Sequence, residues 1–223
     1  MSITALRRWL CLMVAGLSMV ATSAHGAESD ATMSDPQYAS AYKQFRALQE
    51  AVLAKRDSDA KRAGDSCVTT LDALLKRQPR SYEALALQSA CYGYLANLGG
   101  MAAIRNGSRS GKSIEAALAL SPKSPRVILV DGFGLYFRPK FVGGDKGKGC
   151  ARIKEAVKAF DSSNSSAAEP VLASALDWGA AEAHYWSGRC ARDAGDTATA
   201  RAEFEKALAL DPNLAVAKKA LGR

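Results

Sequence analysis

Two glycine-rich basic stretches, two histidines and five cysteines are the residues of this 223-residue chain whose types and spacing bear on chemistry. The first stretch is Asn106-Gly107-Ser108-Arg109-Ser110-Gly111-Lys112-Ser113. A phosphate-binding P-loop needs a glycine, four residues, then Gly-Lys-Ser/Thr, so that successive backbone N–H groups curl around phosphate. Gly107 stands one place too close to Gly111, Asn106 holds the required place, and no buried strand precedes it. The stretch reads instead as a turn leading into a helix. The second, Gly143-Gly144-Asp145-Lys146-Gly147-Lys148-Gly149, is basic and opens a helix. Free N–H groups and the helix dipole there would suit an anion; the competing reading is a long turn whose glycines permit close contact. His184 is the one histidine well inside the chain, so a multi-histidine zinc site cannot be built, and no CxxC occurs. No serine lies in a GxSxG elbow, and the carboxylates are scattered over helical surfaces. The residues nominate no catalytic constellation, cofactor or metal.

Residues 1–27 read as a secretory signal. Arg7 and Arg8 give the positive start, Trp9 to Ala21 the apolar run, and Thr22 to Ala27 the small residues of a cleavage site. The run is too short to span a bilayer, and the Arg-Arg pair leaves a twin-arginine address as an alternative export route. The mature protein is expected to be periplasmic or secreted. Without the two arginines, 28 basic residues face 22 acidic ones, a charge of 28 − 22 = +6. Between Lys123 and Lys158 the excess is densest, which suits an acidic partner, an anionic envelope surface or a solvated face. Nucleic acid is a poor partner for an exported chain without interleaved stacking aromatics. The remaining cysteines, Cys67, Cys91, Cys150 and Cys190, are even in number, which favours disulfides in an oxidising compartment over buried thiols.

From Asp35 onward the pattern is helical. Tyr38–Ala54 and Asp59–Arg77 carry apolar residues at helical spacing, and Pro79, Pro122 and Pro212 each follow a helical stretch. Val127-Ile128-Leu129-Val130-Asp131-Gly132-Phe133 admits two readings: a strand entering an Asp-Gly hairpin, or a helix with Ser124 as N-cap and Pro125 first. Residues Asp161 to Pro170, rich in Ser and Ala, read as a flexible insertion.

The stretch from Ala181 to Asn213 and Leu214 resembles a tetratricopeptide repeat (TPR), a 34-residue helix–turn–helix unit with the pattern W-x2-L-G-x2-Y, A-x3-F, P. Gly188, Ala200, Phe204 and Pro212 fall on the matching places, and Gly195-Asp196 makes the turn. His184, Ser187 and Ala191 replace the usual tryptophan, leucine and tyrosine. Two earlier units match more loosely: Gly93 and Gly132 hold the place of Gly188, and Ala117 and Ala156 that of Ala207. Their inter-helix turns, at Gly99-Gly100 and Gly143-Gly144, are longer than standard by about five residues. The phrases Arg138 to Asp145 and Asp177-Trp178-Gly179 are similar to a lineage of exported bacterial repeat proteins without a known activity. His184, at a place where the repeat packs a large aromatic, reads as a packed residue rather than a base.

The resemblance implies an all-α, TPR-like α-solenoid of three to four helix hairpins over residues 28–223. It implies a non-catalytic module binding a protein or peptide, with a self-associating structural subunit or an enzyme on a degenerate scaffold as alternatives. Second and first helices of consecutive units lie side by side in a solenoid, so the expected pairs are Cys67–Cys91 and Cys150–Cys190. Carrying the family's groove face across the aligned glycines selects Tyr94, Asn97, Arg126, Leu129, Phe133, Tyr136, Tyr185, Arg189 and Arg192. The arginines would favour an acidic peptide.

Overall fold

The structure, a computed structural model, describes residues 32–166 and 178–223, apart from the side chains of 164–166. The expected signal and most of the Ser/Ala-rich insertion lie outside the described residues. Within them run α1 (Pro36–Leu53), α2 (Asp57–Arg77), α3 (Tyr82–Asn97), α4 (Met101–Leu120), α5 (Pro125–Phe137), α6 (Lys146–Ser166), α7 (Ala180–Asp193), α8 (Thr197–Leu210) and α9 (Ala215–Ala220). A single 3₁₀ turn, Lys140–Val142, breaks the link between α5 and α6.

The helices begin where side chains can satisfy free amides. Asp35 accepts from Gln37 N at 2.8 Å with Pro36 as the first helical residue, Ser81 accepts from Ala84 N at 3.1 Å, and Asp196 from Thr199 N at 3.0 Å. Ser124 does occupy the N-cap place of α5, with Pro125 next, but its buried hydroxyl makes no cap bond.

Consecutive helices pack as hairpins, α1 on α2, α3 on α4, α5 on α6 and α7 on α8, while α9 covers the end of α8. Second helices then meet the next first helix, α2 with α3 and α6 with α7, which stacks the hairpins into a solenoid. Apolar side chains fill the spaces between neighbouring helices: Phe45, Leu48, Leu71, Leu74 and Leu87 lie among α1, α2 and α3. Leu129, Ile153 and Phe160 join α5 to α6 and reach Ala183 of α7. Phe204, Ala200 and Tyr185 close the last hairpin against Leu214 and Ala217.

The stack curls back on itself. The Arg46 guanidinium of α1 meets Glu182 of α7 at 3.5 Å and Asp211 after α8 at 3.2 Å. Trp178, just before α7, is buried, donates its indole N–H to the Tyr38 hydroxyl at 2.7 Å and stacks on Tyr42.

Two expectations are corrected, and one open choice is decided for the helix. The turn at Gly99-Gly100 is not lengthened, since only residues 98–100 separate α3 from α4 and the extra residues extend those helices. Gly99 and Gly100, at φ +82° and +70°, supply the left-handed backbone that lets so short a turn reverse the chain. The Gly143-Gly144 turn is indeed long, spanning 138–145. The strand reading of Val127 to Phe133 gives way to α5, because Val127 and Leu129 are buried against neighbouring helices and tertiary packing outweighs β-branched propensity. Of the Ser/Ala-rich insertion, residues 161–166 are the last turn and a half of α6.

Candidate functional site

First helices α5 and α7 meet through rings. Phe133 and Tyr136 of α5 lie edge-on to Trp186 of α7, at 5.6 and 5.7 Å between centroids, and Phe137 completes the set at 5.0 Å. Helical spacing explains the set: Phe133 and Phe137 are one turn apart, and Trp186 lies beside Tyr185 on the facing helix. The Arg189 guanidinium stands 5.4 Å above the Trp186 ring and donates to the Tyr185 hydroxyl at 3.1 Å. Tyr136 donates its hydroxyl proton to Asp193 at 2.8 Å, and burial followed by that bond holds its phenol above the usual range. Phe137 remains 44% exposed, and Trp186, Phe133 and Arg189 are half-buried. The cluster therefore has a filled floor and an open aromatic and cationic rim.

The residues carried over from the repeat family separate into groups. Phe133, Tyr136, Tyr185 and Arg189 converge on Trp186, as above. Leu129 has no exposed surface at all, and Tyr136 and Tyr185 keep only 7% each, so these three side chains are core and offer little to a ligand. Tyr94 is held edge-on to Phe45 at 5.6 Å and accepts a bond from Gln49; burial pushes its phenol up to about 12. Arg126 lies elsewhere: its Nε–H donates to the Trp178 carbonyl at 2.8 Å and its guanidinium pairs with Glu83. Asn97 and Arg192 are exposed, the latter 5.8 Å above the Phe204 ring. Trp186 and Phe137 were missed by the aligned face, although each neighbours a selected residue at helical spacing.

The other candidate chemistries are corrected or absorbed. The Asn106–Ser113 stretch lies wholly inside α4, so its amides are spent on helix bonds. At the Gly143–Gly149 stretch the anion niche is already taken: the Asp145 carboxylate accepts from Lys148 N at 3.0 Å, and that bond holds its carboxyl below the usual range. His184 is buried, with Nδ1 2.9 Å from Glu203 and Nε2 3.5 Å from Asp161. Among the described residues no group of His, Cys, Asp and Glu is arranged to hold a metal, and no helix is long and apolar enough to cross a membrane.

Cys67 of α2 is joined to Cys91 of α3, and Cys150 of α6 to Cys190 of α7, with Cα atoms 6.5 and 5.8 Å apart. Each bond ties the second helix of one hairpin to the first helix of the next. Such bonds fit an oxidising compartment.

Residues 181–214 match the tetratricopeptide repeat family model. A solved structure similar to the chain is that of a thermophilic TPR protein from Thermus thermophilus. It is 15% identical, with a TM-score of 0.49 over 80% of this chain and 95% of that one. No curated protein matches the chain. In the repeat itself, Gly188 lets α7 approach α8 and Phe204 fills the gap beside it, as the pattern requires. Over the described residues the chain is an all-α solenoid of helix hairpins, and it carries a tetratricopeptide repeat at residues 181–214, a scaffold of the kind that serves protein interaction.

Proposed function

We propose that the chain is an exported, non-catalytic module that captures a protein or peptide on the first-helix face of α5 and α7. The observation that carries this reading is the open rim of Phe137, Trp186 and Arg189 above a packed floor, a combination of aromatic and arginine that anchors binding partners. Arg189 and Arg192, one turn apart, favour an acidic peptide. Support for export comes from the basic start and apolar run of residues 1–27 and from two disulfides.

The test is capture from envelope extract by the tagged protein, beside a Phe137→Ala/Arg189→Ala variant. A discrete partner retained by the wild type and lost by the variant, with the melting temperature lowered by only several degrees and the variant still folded, is the expected result. Capture of its own chain alone would make it a structural subunit, and turnover in a metabolite panel would make it an enzyme; either overturns the reading. Intact-mass measurement of exported material should find an N-terminus between His25 and Glu28, and retention of Met1 would refute the cleaved signal.

A further inference from the structure

The two disulfides sit in different surroundings. Cys67 and Cys91 have no exposed surface and belong to the core that holds Leu71 and Leu87. Cys190 keeps 5% of its surface, while Cys150, just past the first turn of α6, is only half-buried. A reductant reaches the second bond from the side of Cys150, whereas the first is closed to it until the core opens.

The second bond also lies beside the aromatic rim. Cys190 stands one turn after Trp186 on α7. Gly149, next to Cys150, rests on the backbone of α5: a Cβ there would come within 2.7 Å of the Tyr136 nitrogen and 2.8 Å of its Cα. Cys150 and Cys190 accordingly pack in one apolar cluster with Phe133, Tyr136 and Trp186. At the rim itself α5 and α7 touch through rings and through the Tyr136 hydroxyl on Asp193. Helix-on-helix packing runs instead from α5 to α6 and from α6 to α7. The bond fixes the second of these joints at the level of the rings.

We infer that Cys150–Cys190 is a redox-sensitive tie that keeps the rim of Phe137, Trp186 and Arg189 assembled, while Cys67–Cys91 is a permanent brace. As a control on capture, the tie rests on the binding function proposed above. The reductant is a dithiol. One of its thiolates attacks the Cys150 sulfur, the sulfur–sulfur bond breaks, and the Cys190 sulfur leaves as a thiolate and takes up a proton. The second thiolate of the reductant then displaces the Cys150 sulfur in the same way. Two electrons have passed to the cysteines, and the dithiol departs as a disulfide. A loop spanning 40 residues thereby regains its freedom, α7 shifts on α6, and Trp186 parts from the rings of α5.

Dithiothreitol under native conditions, with alkylation at intervals and peptide mapping, tests the order of opening. Cys150 and Cys190 should be alkylated at least about tenfold faster than Cys67 and Cys91. With that pair alone open, the amides of α7 should exchange hydrogen at least about tenfold faster than in the oxidised protein. Those of α1–α4 should keep their protection, and reoxidation should restore α7. Cys150→Ser with Cys190→Ser should reproduce the loosened α7 without reductant. Joint opening of the two bonds, earlier opening of Cys67–Cys91, unchanged exchange in α7, or lost protection throughout α1–α4 overturns the inference. Capture from envelope extract separates the tie from the binding function. A partner held by the oxidised protein should be held at least about tenfold less by the double serine variant, and equal capture overturns the inference. If no form captures a partner, the binding function falls, and alkylation and exchange still decide the tie.

Discussion

Replacing Gly188 by alanine is expected to destabilise the fold by about 2 kcal/mol, whereas the same change at Gly93 should stabilise it by up to about 1 kcal/mol. Both glycines, with Gly132 between them, hold one place in the repeat pattern, and the structure separates them by what surrounds each. A Cβ on Gly188 would lie 2.7 and 2.8 Å from the Phe204 ring and 3.0 Å from the Ala200 carbonyl oxygen. That ring is 3% exposed and packs against Tyr185, so it has nowhere to move. Overpacking of this severity costs about 3 kcal/mol, and the gain in helix propensity from glycine to alanine returns about 1 kcal/mol. A Cβ on Gly93 would meet only the Ser110 hydroxyl, at 3.7 Å, so the propensity gain stands alone there. At Gly132 the nearest atoms are Ile153 Cγ1 at 3.0 Å and the Gly149 oxygen and Ile153 nitrogen at 3.2 Å, which places its cost between the two, at about 1 kcal/mol. Urea unfolding under non-reducing conditions, followed by circular dichroism, reads the three differences at constant slope. For a chain of this length Gly188→Ala should lower Tm by about 4–8 °C. Were Gly93→Ala as costly as Gly188→Ala, these glycines would be answering a backbone requirement common to all units rather than the closeness of particular helices.

The remaining predictions concern single groups. Tyr136→Ala should cost about 3–5 kcal/mol, because it empties a buried ring site and strips Asp193 of its partner, while Phe137→Ala on the rim should cost about 1 kcal/mol; equal costs in urea melts would refute the division into floor and rim. Burial works against a charged Glu203, but the His184 hydrogen bond and the charge of Lys206 prevail and hold its carboxyl below the ordinary range. A depressed carboxyl stabilises above its unfolded pKa and loses that contribution as pH falls, so Glu203→Gln should flatten the decline of Tm between about pH 5 and pH 3; an unaltered slope would refute it. Non-reduced peptide mapping should find Cys67 with Cys91 and Cys150 with Cys190, and reduction should remove about 3–4 kcal/mol per bond, judged from loops of 24 and 40 residues. A Cys67–Cys150 peptide would contradict the helix order. Burial pushes Tyr42 and Tyr94 up to about 12 and Tyr38 higher still. Ultraviolet titration of the folded protein should therefore leave at least these three of seven tyrosines un-ionised near pH 11, about one unit above the free phenol; complete titration near pH 10 would refute their burial.

The last hairpin was legible because its information is local. Gly188, Ala200, Phe204 and Pro212 stand at fixed spacings, and each does in the structure what the spacing implies. The cysteine pairs followed once the order of helices was known. Other features depended on contacts that spacing does not encode. The extra residues around Gly99-Gly100 look like turn because Asn106, Gly107 and Ser108 are poor helix formers, yet they lengthen a helix that buries Asn106 and leaves Gly107 and Ser108 exposed. The status of Leu129, Tyr136 and Tyr185 depends on how far one hairpin rotates onto the next. That rotation is set by long-range pieces such as Trp178 on Tyr38 and Arg46 between Glu182 and Asp211, 136 and 165 residues away. The Gly143–Gly149 stretch failed as an anion site for a nearer reason: Asp145, within the motif itself, already supplies the anion.

The placement of the two disulfides decides what a cut in the backbone does. Cys67–Cys91 encloses the link between the first and second hairpins, and Cys150–Cys190 encloses the link between the third and fourth, including residues 167–177. A nick inside either loop leaves both pieces in one molecule, still braced by the helices on each side, and parts them only when a reductant is added. A nick between Cys91 and Cys150, where the second hairpin meets the third, divides the chain into two halves that no covalent bond rejoins. Clipping is thus survivable at two of the three junctions and severing at the middle one.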